Sequence, residues 1–114
     1  MQAVFNLAIK FVDDMDRAVA FYRDTLGLTL RFGSPHWSEF DTGAVTLALH
    51  PESARNPAGS SQLSFTTPGL EAIYAGREAA GLTFTAPPAD EHETLLSRIL
   101  DSDGAEIGLT DARP

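Results

Sequence analysis

The sequence predicts an α+β fold made of two βαβββ modules. Three features lead to this prediction: alternating apolar and polar stretches, amphipathic stretches with helical spacing, and a restart of the same order after residue 60. Period-two alternation is typical of a half-buried strand, and recurrence every three or four residues is typical of a helix. We therefore expect one domain of two modules, 1–50 and 61–114. They are joined by a linker at 51–60, which carries two prolines and no large apolar side chain.

The first module is predicted to begin with a strand at residues 4–12 and to continue with one helix. Asp13 or Asp14 can cap this helix, and Gly27 follows its last apolar turn. The aromatic and aliphatic residues expected to anchor the helix to the sheet are Phe21, Tyr22 and Leu26. Three further strands are predicted at Leu28–Phe32, Trp37–Phe40 and Ala44–His50.

The second module is predicted to repeat this order. Its first strand is Gln62–Thr66, and its helix covers Pro68–Ala80, with the proline suited to the first turn. The remaining segments are expected to be a strand at Leu82–Phe84, a polar loop at Pro87–Glu93, and strands at Leu95–Leu100 and Ala105–Thr110.

Short matching strings support an internal duplication. Chance could produce one such match, but three matches in the same order at the same structural positions favour duplication. The matched pairs are Asn6–Ile9 with Gln62–Phe65, Gly27–Leu30 with Gly81–Phe84, and Gly43–Leu49 with Gly104–Leu109, the last pair with a one-residue gap.

Composition limits the function. The 114 residues carry a formal net charge of −8 and no cysteine. The absence of thiols excludes disulfides, zinc–thiolate sites and a cysteine nucleophile. The negative charge disfavours nucleic acid and anionic membranes as partners. A small organic molecule is the expected partner and the cytoplasm the expected location, since no apolar run approaches the ~20 residues of a spanning helix and no signal peptide opens the chain.

The helix of the first module carries the motif Val12-x-Asp14-Met15-x-Arg17-Ala18-x-x-Phe21-Tyr22-Arg23-Asp24-x-Leu26-Gly27. This motif resembles the opening module of the vicinal oxygen chelate superfamily, which holds glyoxalase I, bleomycin-resistance proteins and extradiol dioxygenases. Trp37-x-Glu39-Phe40 and Asp101-x-Asp103-Gly104 fit the same pattern. The resemblance implies a curled mixed sheet whose two modules form a ligand-holding cup, and it implies a homodimer.

Metal-dependent members of that superfamily bind a divalent cation through His and Glu side chains on four strands. In this sequence the resemblance puts those positions at Leu7 or Asn6, Ala48, Gln62 and Gly108. None is an imidazole or a carboxylate, and amide oxygens bind first-row metals weakly. We therefore expect no metal and no cofactor. An unorthodox site built from the histidines is the less favoured alternative; these are His36, His50 and His92.

Alternation along the strands predicts which side chains face the cup. The helix side is expected to take Val45, Leu47, Leu49, Leu63, Phe65, Ile107 and Leu109. The predicted ligand-binding residues are Asn6, Trp37, Thr46, His50, Gln62, Ser64, Arg98 and Glu106.

Some of these residues have two interpretations. Glu39, Glu106 and His50 are the candidate acid/base residues, although each could be an ordinary solvated side chain. Trp37 could stack on a ligand or be a structural aromatic. Arg98 could pair with Glu106 or meet an anionic ligand, and we expect the pair.

The predicted function is metal-free binding of a small molecule, as in bleomycin-resistance proteins, including sequestration of a drug or metabolite. The negative charge and Trp37 favour cationic or aromatic ligands. The alternative is a glyoxalase-like lyase or isomerase, or a dioxygenase-related enzyme, acting through the candidate acid/base residues or an atypical metal site. A protein-interaction module ranks third because it leaves the cup unused.

Overall fold

A computed structural model describes residues 1–112, and it places eight strands and three short α-helices within them. Arg113 and Pro114, the end of the predicted second module, lie outside the described residues. The chain divides into two compact units. The N-terminal unit is residues 6–62, and the C-terminal unit is residues 63–114 together with 1–5.

The N-terminal unit contains one helix and four strands, in the sheet order β2-β3-β4-β1. The elements are β1 (Val4–Val12, whose first two residues belong to the other unit), α1 (Met15–Ala20), β2 (Thr29–Phe32), β3 (Ser38–Asp41) and β4 (Thr46–Pro51). β1 runs parallel to β4, whereas β2, β3 and β4 pair antiparallel.

Contacts with α1 and with the residues directly after it show which face of this sheet the helix covers. The Ser38 hydroxyl lies 3.4 Å from the Met15 sulfur, and the rings of Tyr22 and Phe40 have centroids 5.8 Å apart. Ser38 and Phe40 are fully buried. Because successive strand residues point to opposite faces, Trp37 and Glu39 lie on the face away from α1.

The helix of the first module begins as predicted but ends differently. The Asp14 carboxylate accepts a hydrogen bond from the Arg17 amide at 3.1 Å and so caps α1. After Ala20 the chain continues as a π-helical turn, Phe21–Thr25, closed by the Leu26 amide bonding to the Phe21 carbonyl. This wider turn leaves Phe21 48% and Leu26 54% exposed, so the prediction that both anchor the helix is wrong.

The C-terminal unit contains the sheet order β5-β8-β7-β6 and two helices. The elements are β5 (Ser61–Thr66, which starts at the end of the N-terminal unit), α2 (Leu70–Ala75), α3 (Arg77–Ala80), β6 (Phe84–Glu91), β7 (Thr94–Leu100) and β8 (Glu106–Ala112). β5 runs parallel to β8, and the other neighbours pair antiparallel.

A cluster of buried side chains fixes α2 on one face of this sheet. Its members are Leu70, Leu95, Ile99 and Leu109, with Phe65, Phe84 and Ile107 packed against them. The predicted helix-side positions Phe65, Ile107 and Leu109 are confirmed. Leu63 is 45% exposed and lies outside this core, so its predicted burial is wrong.

Two segments of the second module differ from prediction. The predicted single helix breaks at Gly76 into α2 and α3, in keeping with the weak helix propensity of glycine. The predicted polar loop at Pro87–Glu93 is mostly strand: β6 reaches Glu91, and a tight turn through His92 and Glu93 leads into β7. β6 accepts its two prolines because it lies at the edge of its sheet and its pairing is irregular around them.

The α+β class is confirmed, and each module has the predicted strand–helix–three-strand order, with the second helix interrupted. Within residues 1–112, no helix is long and apolar enough to span a membrane.

Candidate functional site

The face of the N-terminal unit away from α1 carries a hydrogen-bonded polar cluster. One carboxylate oxygen of Glu39 accepts the Trp37 indole N–H at 2.7 Å, and the other accepts from the Arg31 guanidinium at 3.2 Å. The same Arg31 nitrogen lies 2.7 Å from the Thr46 hydroxyl. This cluster ties β2, β3 and β4 together and fixes the indole directly before β3.

Aromatic rings extend this cluster along β4. The rings of Trp37 and His50 meet edge to face with centroids 6.2 Å apart, and Phe11 lies 5.5 Å from His50. His50 Nδ1 is 2.7 Å from the Pro51 carbonyl and its side chain is exposed. We call Arg31, Trp37, Glu39, Thr46 and His50 the polar face of the N-terminal unit.

The C-terminal unit has a second polar cluster on the face away from α2. Arg98 Nε lies 3.5 Å from a carboxylate oxygen of Glu106, which also accepts a hydrogen bond from the Thr85 hydroxyl. The Glu106 side chain is 15% exposed, whereas that of Arg98 is 46% exposed. The predicted pairing of Arg98 with Glu106 is confirmed.

The two clusters occupy equivalent positions of the internal repeat. Glu39 pairs across its strand with Ala48, and Arg98 pairs with Gly108, the repeat partner of Ala48. The same matching places Thr46 with Glu106 and Arg31 with Thr85. Each unit therefore carries one arginine, one glutamate and one threonine on the same three strands, but the residue types are exchanged among the strands.

The positions that hold metal ligands in metal-dependent relatives do not fit a metal here. Ala48 is completely buried on β4, where a carboxylate would be needed. Asn6 Oδ1 is buried without a partner in the described chain, but a single amide oxygen is a weak ligand. Across residues 1–112 no group of three or more His, Asp or Glu side chains is placed to hold a metal ion.

Gly108 departs most sharply from a metal site. A Cβ added there would lie 2.5 Å from the Ser64 hydroxyl oxygen and 3.0 Å from the Ser64 Cβ. A glutamate at this position would press on Ser64, so the Ser64 hydroxyl would have to rotate away and its Cβ would have to shift slightly. The position therefore differs from a ligand site in its surroundings as well as in its residue, because the Ser64 hydroxyl lies close to the place of a side chain.

The structure brings together most of the predicted site residues, but in two sets. Trp37, Glu39, Thr46 and His50 lie on the polar face of the N-terminal unit. Ser64, Arg98 and Glu106 lie on neighbouring strands of the C-terminal unit. Gln62 is half-buried on β5 and has an interaction of its own. That both sets face one common cup, and that Asn6 and Gln62 contribute to it, stays a prediction.

Sequence reasoning missed Arg31 and Thr85. Arg31 alternates with the apolar residues of a short strand, which gave no reason to single it out, and Thr85 lies beyond the predicted end of its strand. The internal repeat could have identified both residues. Gly27 matches Gly81, and Arg31 lies at the same distance after Gly27 as Thr85 does after Gly81.

A separate cleft of about 350 Å³ opens on the helix side of the N-terminal unit. Its lining residues are Met15, Asp16, Val19, Arg23, Gly33, Ser34, Pro35 and Ser38. Here Arg23 hydrogen-bonds to Asp24 at 2.8 and 3.1 Å, which lowers the pKa of the Asp24 carboxyl and raises that of Arg23. Both side chains are exposed, Arg23 by 49% and Asp24 by 61%, so solvent screening keeps the pair weak.

Comparison with known proteins agrees with this fold. Residues 5–109 match the model of the glyoxalase/bleomycin resistance protein/dioxygenase superfamily. An uncharacterized protein of Mycolicibacterium smegmatis is 27% identical over 100 residues, covering 87% of this chain and 85% of that protein.

Solved structures with this fold include enzymes and proteins without a stated activity. A hypothetical protein from Bacillus halodurans aligns with a TM-score of 0.81 at 11% identity, covering 100% of this chain and 97% of that chain. Methylmalonyl-CoA epimerase from Mycobacterium tuberculosis aligns with a TM-score of 0.76 at 19% identity, covering 96% and 88%. At such identities the likeness concerns the fold alone. Taken with the match over residues 5–109, the chain belongs to the glyoxalase/bleomycin resistance protein/dioxygenase superfamily.

Proposed function

We propose that this chain binds a small organic molecule carrying an aromatic ring, without a metal ion, and that it sequesters a drug or metabolite. The observation that carries the proposal is the fixed indole on the polar face. Its N–H is held by Glu39 at 2.7 Å, and Glu39 is itself held by Arg31. An aromatic surface that is already in place loses little conformational freedom when a ligand stacks on it.

The charges on the polar face refine the ligand class. The net charge of −8 favoured cations at the level of the sequence. Glu39, however, already has both oxygens engaged, one of them by the arginine cation. We therefore expect stacking on Trp37 to contribute more to affinity than attraction of a ligand cation.

The residues at the four positions that hold metal ligands in metal-dependent relatives support binding without a metal ion. Ala48 and Gly108 offer no donor atom, and a side chain added at Gly108 would crowd the buried Ser64. Asn6 and Gln62 offer amide groups, which bind first-row divalent metals weakly.

Trp37 is the single tryptophan of the chain, so its fluorescence reports on the proposed site alone. We would titrate EDTA-treated protein with a panel of aromatic compounds and record saturable changes in emission. Calorimetry on Trp37→Phe should show weaker binding. Asp16→Asn, in the helix-side cleft, is the matched control and should bind as the parent does. Equal binding by Trp37→Phe, or loss of binding in Asp16→Asn, would count against the proposal.

The alternative is a lyase or isomerase of the same superfamily. It is kept because the similar solved structures include methylmalonyl-CoA epimerases. Glu39, Glu106 or His50 would then serve as acid or base. Both carboxylates are already engaged by an arginine, which ties them into structural pairs. Hemithioacetal isomerisation and methylmalonyl-CoA epimerisation, each assayed with and without nickel or zinc, decide between the two functions.

We also propose that the chain forms a homodimer. Three large apolar side chains of the N-terminal unit, Phe21, Leu26 and Phe32, are each about half exposed. β2, which carries Phe32, lies at the edge of its sheet. Sedimentation equilibrium should give twice the chain mass of 12.2 kDa, and Phe32→Lys should shift the protein toward the monomer. A single-chain mass at all concentrations would exclude the dimer.

A further inference from the structure

We propose that the aromatic molecule bound on the polar face donates a hydrogen bond to Nε2 of His50, through a hydroxyl or N–H group on its ring. The inference rests on the proposed function, because it names a polar group that the same ligand would carry. It depends on the tautomer and the surroundings of His50, whereas stacking depends on the indole of Trp37.

The tautomer of His50 follows from its hydrogen bond to the backbone. Nδ1 lies 2.7 Å from the Pro51 carbonyl oxygen, which is a normal hydrogen-bond distance. A carbonyl oxygen can only accept, so Nδ1 carries the hydrogen. In a neutral imidazole the other ring nitrogen then has a free lone pair. Nε2 of His50 is therefore a hydrogen-bond acceptor while the ring is neutral.

Packing against aromatic rings holds the imidazole in place. β1 and β4 pair Phe11 with His50, and the two rings have centroids 5.5 Å apart at an angle of 65°. The indole of Trp37 meets the imidazole at 80°. Phe11 is buried, whereas His50 is exposed. The imidazole thus packs on a buried ring and stays open to solvent, so a ligand would meet an acceptor that is already oriented.

The polar neighbours of His50 are already committed to one another. The indole N–H is the only side-chain donor of Trp37, and it bonds to Glu39 at 2.7 Å. An ionised Glu39 has no hydrogen to donate. In this arrangement neither residue can satisfy Nε2 of His50. A ligand that brings its own donor would gain a hydrogen bond there without breaking one on the polar face.

These contacts select a chemical class of ligand. The ring centroids of Trp37 and His50 are 6.2 Å apart, so one small aromatic molecule is large enough to contact both. A phenol, an aniline or an indole carries a donor for Nε2, whereas an aryl ether or an ionised carboxylate carries none. We therefore expect phenols and aromatic N–H compounds to bind more tightly than aryl ethers of the same size.

The test compares para-cresol with its methyl ether by calorimetry on the intact chain. The two compounds share a ring and an oxygen atom, and only para-cresol has a hydrogen on that oxygen. We expect para-cresol to bind about threefold to tenfold more tightly, as one hydrogen bond at an exposed site would give. His50→Phe keeps a ring against Phe11 but removes the acceptor, so it should abolish the preference. His50→Gln has an amide oxygen that can accept, and it should retain part of the preference.

His92→Asn is the matched control. It removes an exposed imidazole from the turn between β6 and β7, in the other unit. Asparagine tolerates the positive φ of 49° at this position, so the turn should be preserved. This variant should prefer para-cresol to the ether by the same ratio as the parent protein.

Nitrogen-15 NMR of the histidine side chains reads the tautomer directly. At about pH 8, where an ordinary imidazole is neutral, His50 should show a protonated Nδ1 and an unprotonated Nε2. Addition of para-cresol should shift the Nε2 resonance of His50, and addition of the ether should shift it less.

Four results would overturn the proposal: a His50 tautomer protonated on Nε2, equal affinities for para-cresol and its ether, an unchanged preference in His50→Phe, or no binding of para-cresol. Equal affinities that both fall in Trp37→Phe would remove the role of His50 and leave the aromatic site in place. Failure of the whole aromatic panel to bind would remove the proposed function as well. The failures of the two proposals are therefore distinguishable.

Discussion

Gly108 and Ser64 show how a close contact between two strands restricts the side chain that a position accepts. The Ser64 hydroxyl oxygen comes so close to Gly108 that any Cβ there would overlap it. The sequence alone identified Gly108 as a lost ligand position. It could not reveal that the Ser64 hydroxyl lies so close to Gly108, because that depends on the distance between two strands.

We predict that Gly108→Ala lowers the free energy of unfolding by about 1–3 kcal/mol, the usual cost of overpacking a well-packed site. Chemical denaturation measures this change. Gly33→Ala is the control: the nearest atom to its added Cβ is 3.5 Å away on the flexible Leu30 side chain, so the loss should be small. Adding Ser64→Gly should recover part of the loss in Gly108→Ala. Equal losses at Gly33 and Gly108 would contradict the packing argument.

Glu39 fixes Trp37, and this too is a property of single residues. We predict that Glu39→Ala lowers the free energy of unfolding by about 1 kcal/mol, since it removes hydrogen bonds to two donors at a half-buried site. The Trp37 emission should move to longer wavelength as the indole becomes more mobile and more hydrated.

Asp24→Ala is the control for that variant. Asp24 is also paired with an arginine, but it is exposed and lies on the helical side of the unit. It should leave the emission of Trp37 unchanged. An unchanged spectrum in Glu39→Ala would mean that Glu39 does not hold the indole.

At the scale of elements, the two units share their strands but differ in the side chains of their polar clusters. The two units repeat the same strands, the same strand pairing and the glycines that precede strands. The fold could therefore be predicted from the period of the apolar residues and from the positions of the glycines. The side chains of the polar clusters are not repeated. Arginine lies on β2 in one unit and on β7 in the other.

The mispredicted segments are those whose local sequence favours a different structure from the one that they adopt. Pro87 and Pro88 indicate a loop from composition, but an edge strand accommodates them because its outer amides need no partner. Asp111 bonds to the Leu70 amide at 3.1 Å and caps α2 from β8, a contact between residues 41 apart in sequence. Local sequence carries no signal for such a cap.

The cap of α1, in contrast, was predicted as one of two neighbouring aspartates. Asp14 makes the bond to the Arg17 amide, whereas Asp13 makes an exposed ion pair with the Arg17 side chain at 3.6 Å. We predict that Asp14→Ala lowers the free energy of unfolding by about 1 kcal/mol and Asp13→Ala by less than about 0.5 kcal/mol. Thermal and chemical denaturation of the two variants measure the difference. Equal losses of unfolding free energy in the two variants would mean that Asp14 stabilises α1 through its charge and not through capping.

The whole molecule combines the fold of its superfamily with changed residues at the candidate site. The chain belongs to a superfamily whose members include enzymes, yet the four positions that hold metal ligands in some relatives carry no carboxylate or imidazole in this chain. Fold alone does not determine function, because activities reside in sites that vary on a common scaffold. The sequence sufficed to predict the family and the changed ligand positions. The bonding among Arg31, Trp37 and Glu39 required the structure.

The central claim is that binding needs no metal, and the Trp37 fluorescence titration tests it most directly. The EDTA-treated protein would be titrated with the aromatic panel, and each titration would be repeated after one equivalent of zinc or nickel. We predict saturable quenching by at least one aromatic compound, with the same Kd in both conditions. Binding that appears or tightens only after metal is added would contradict the account.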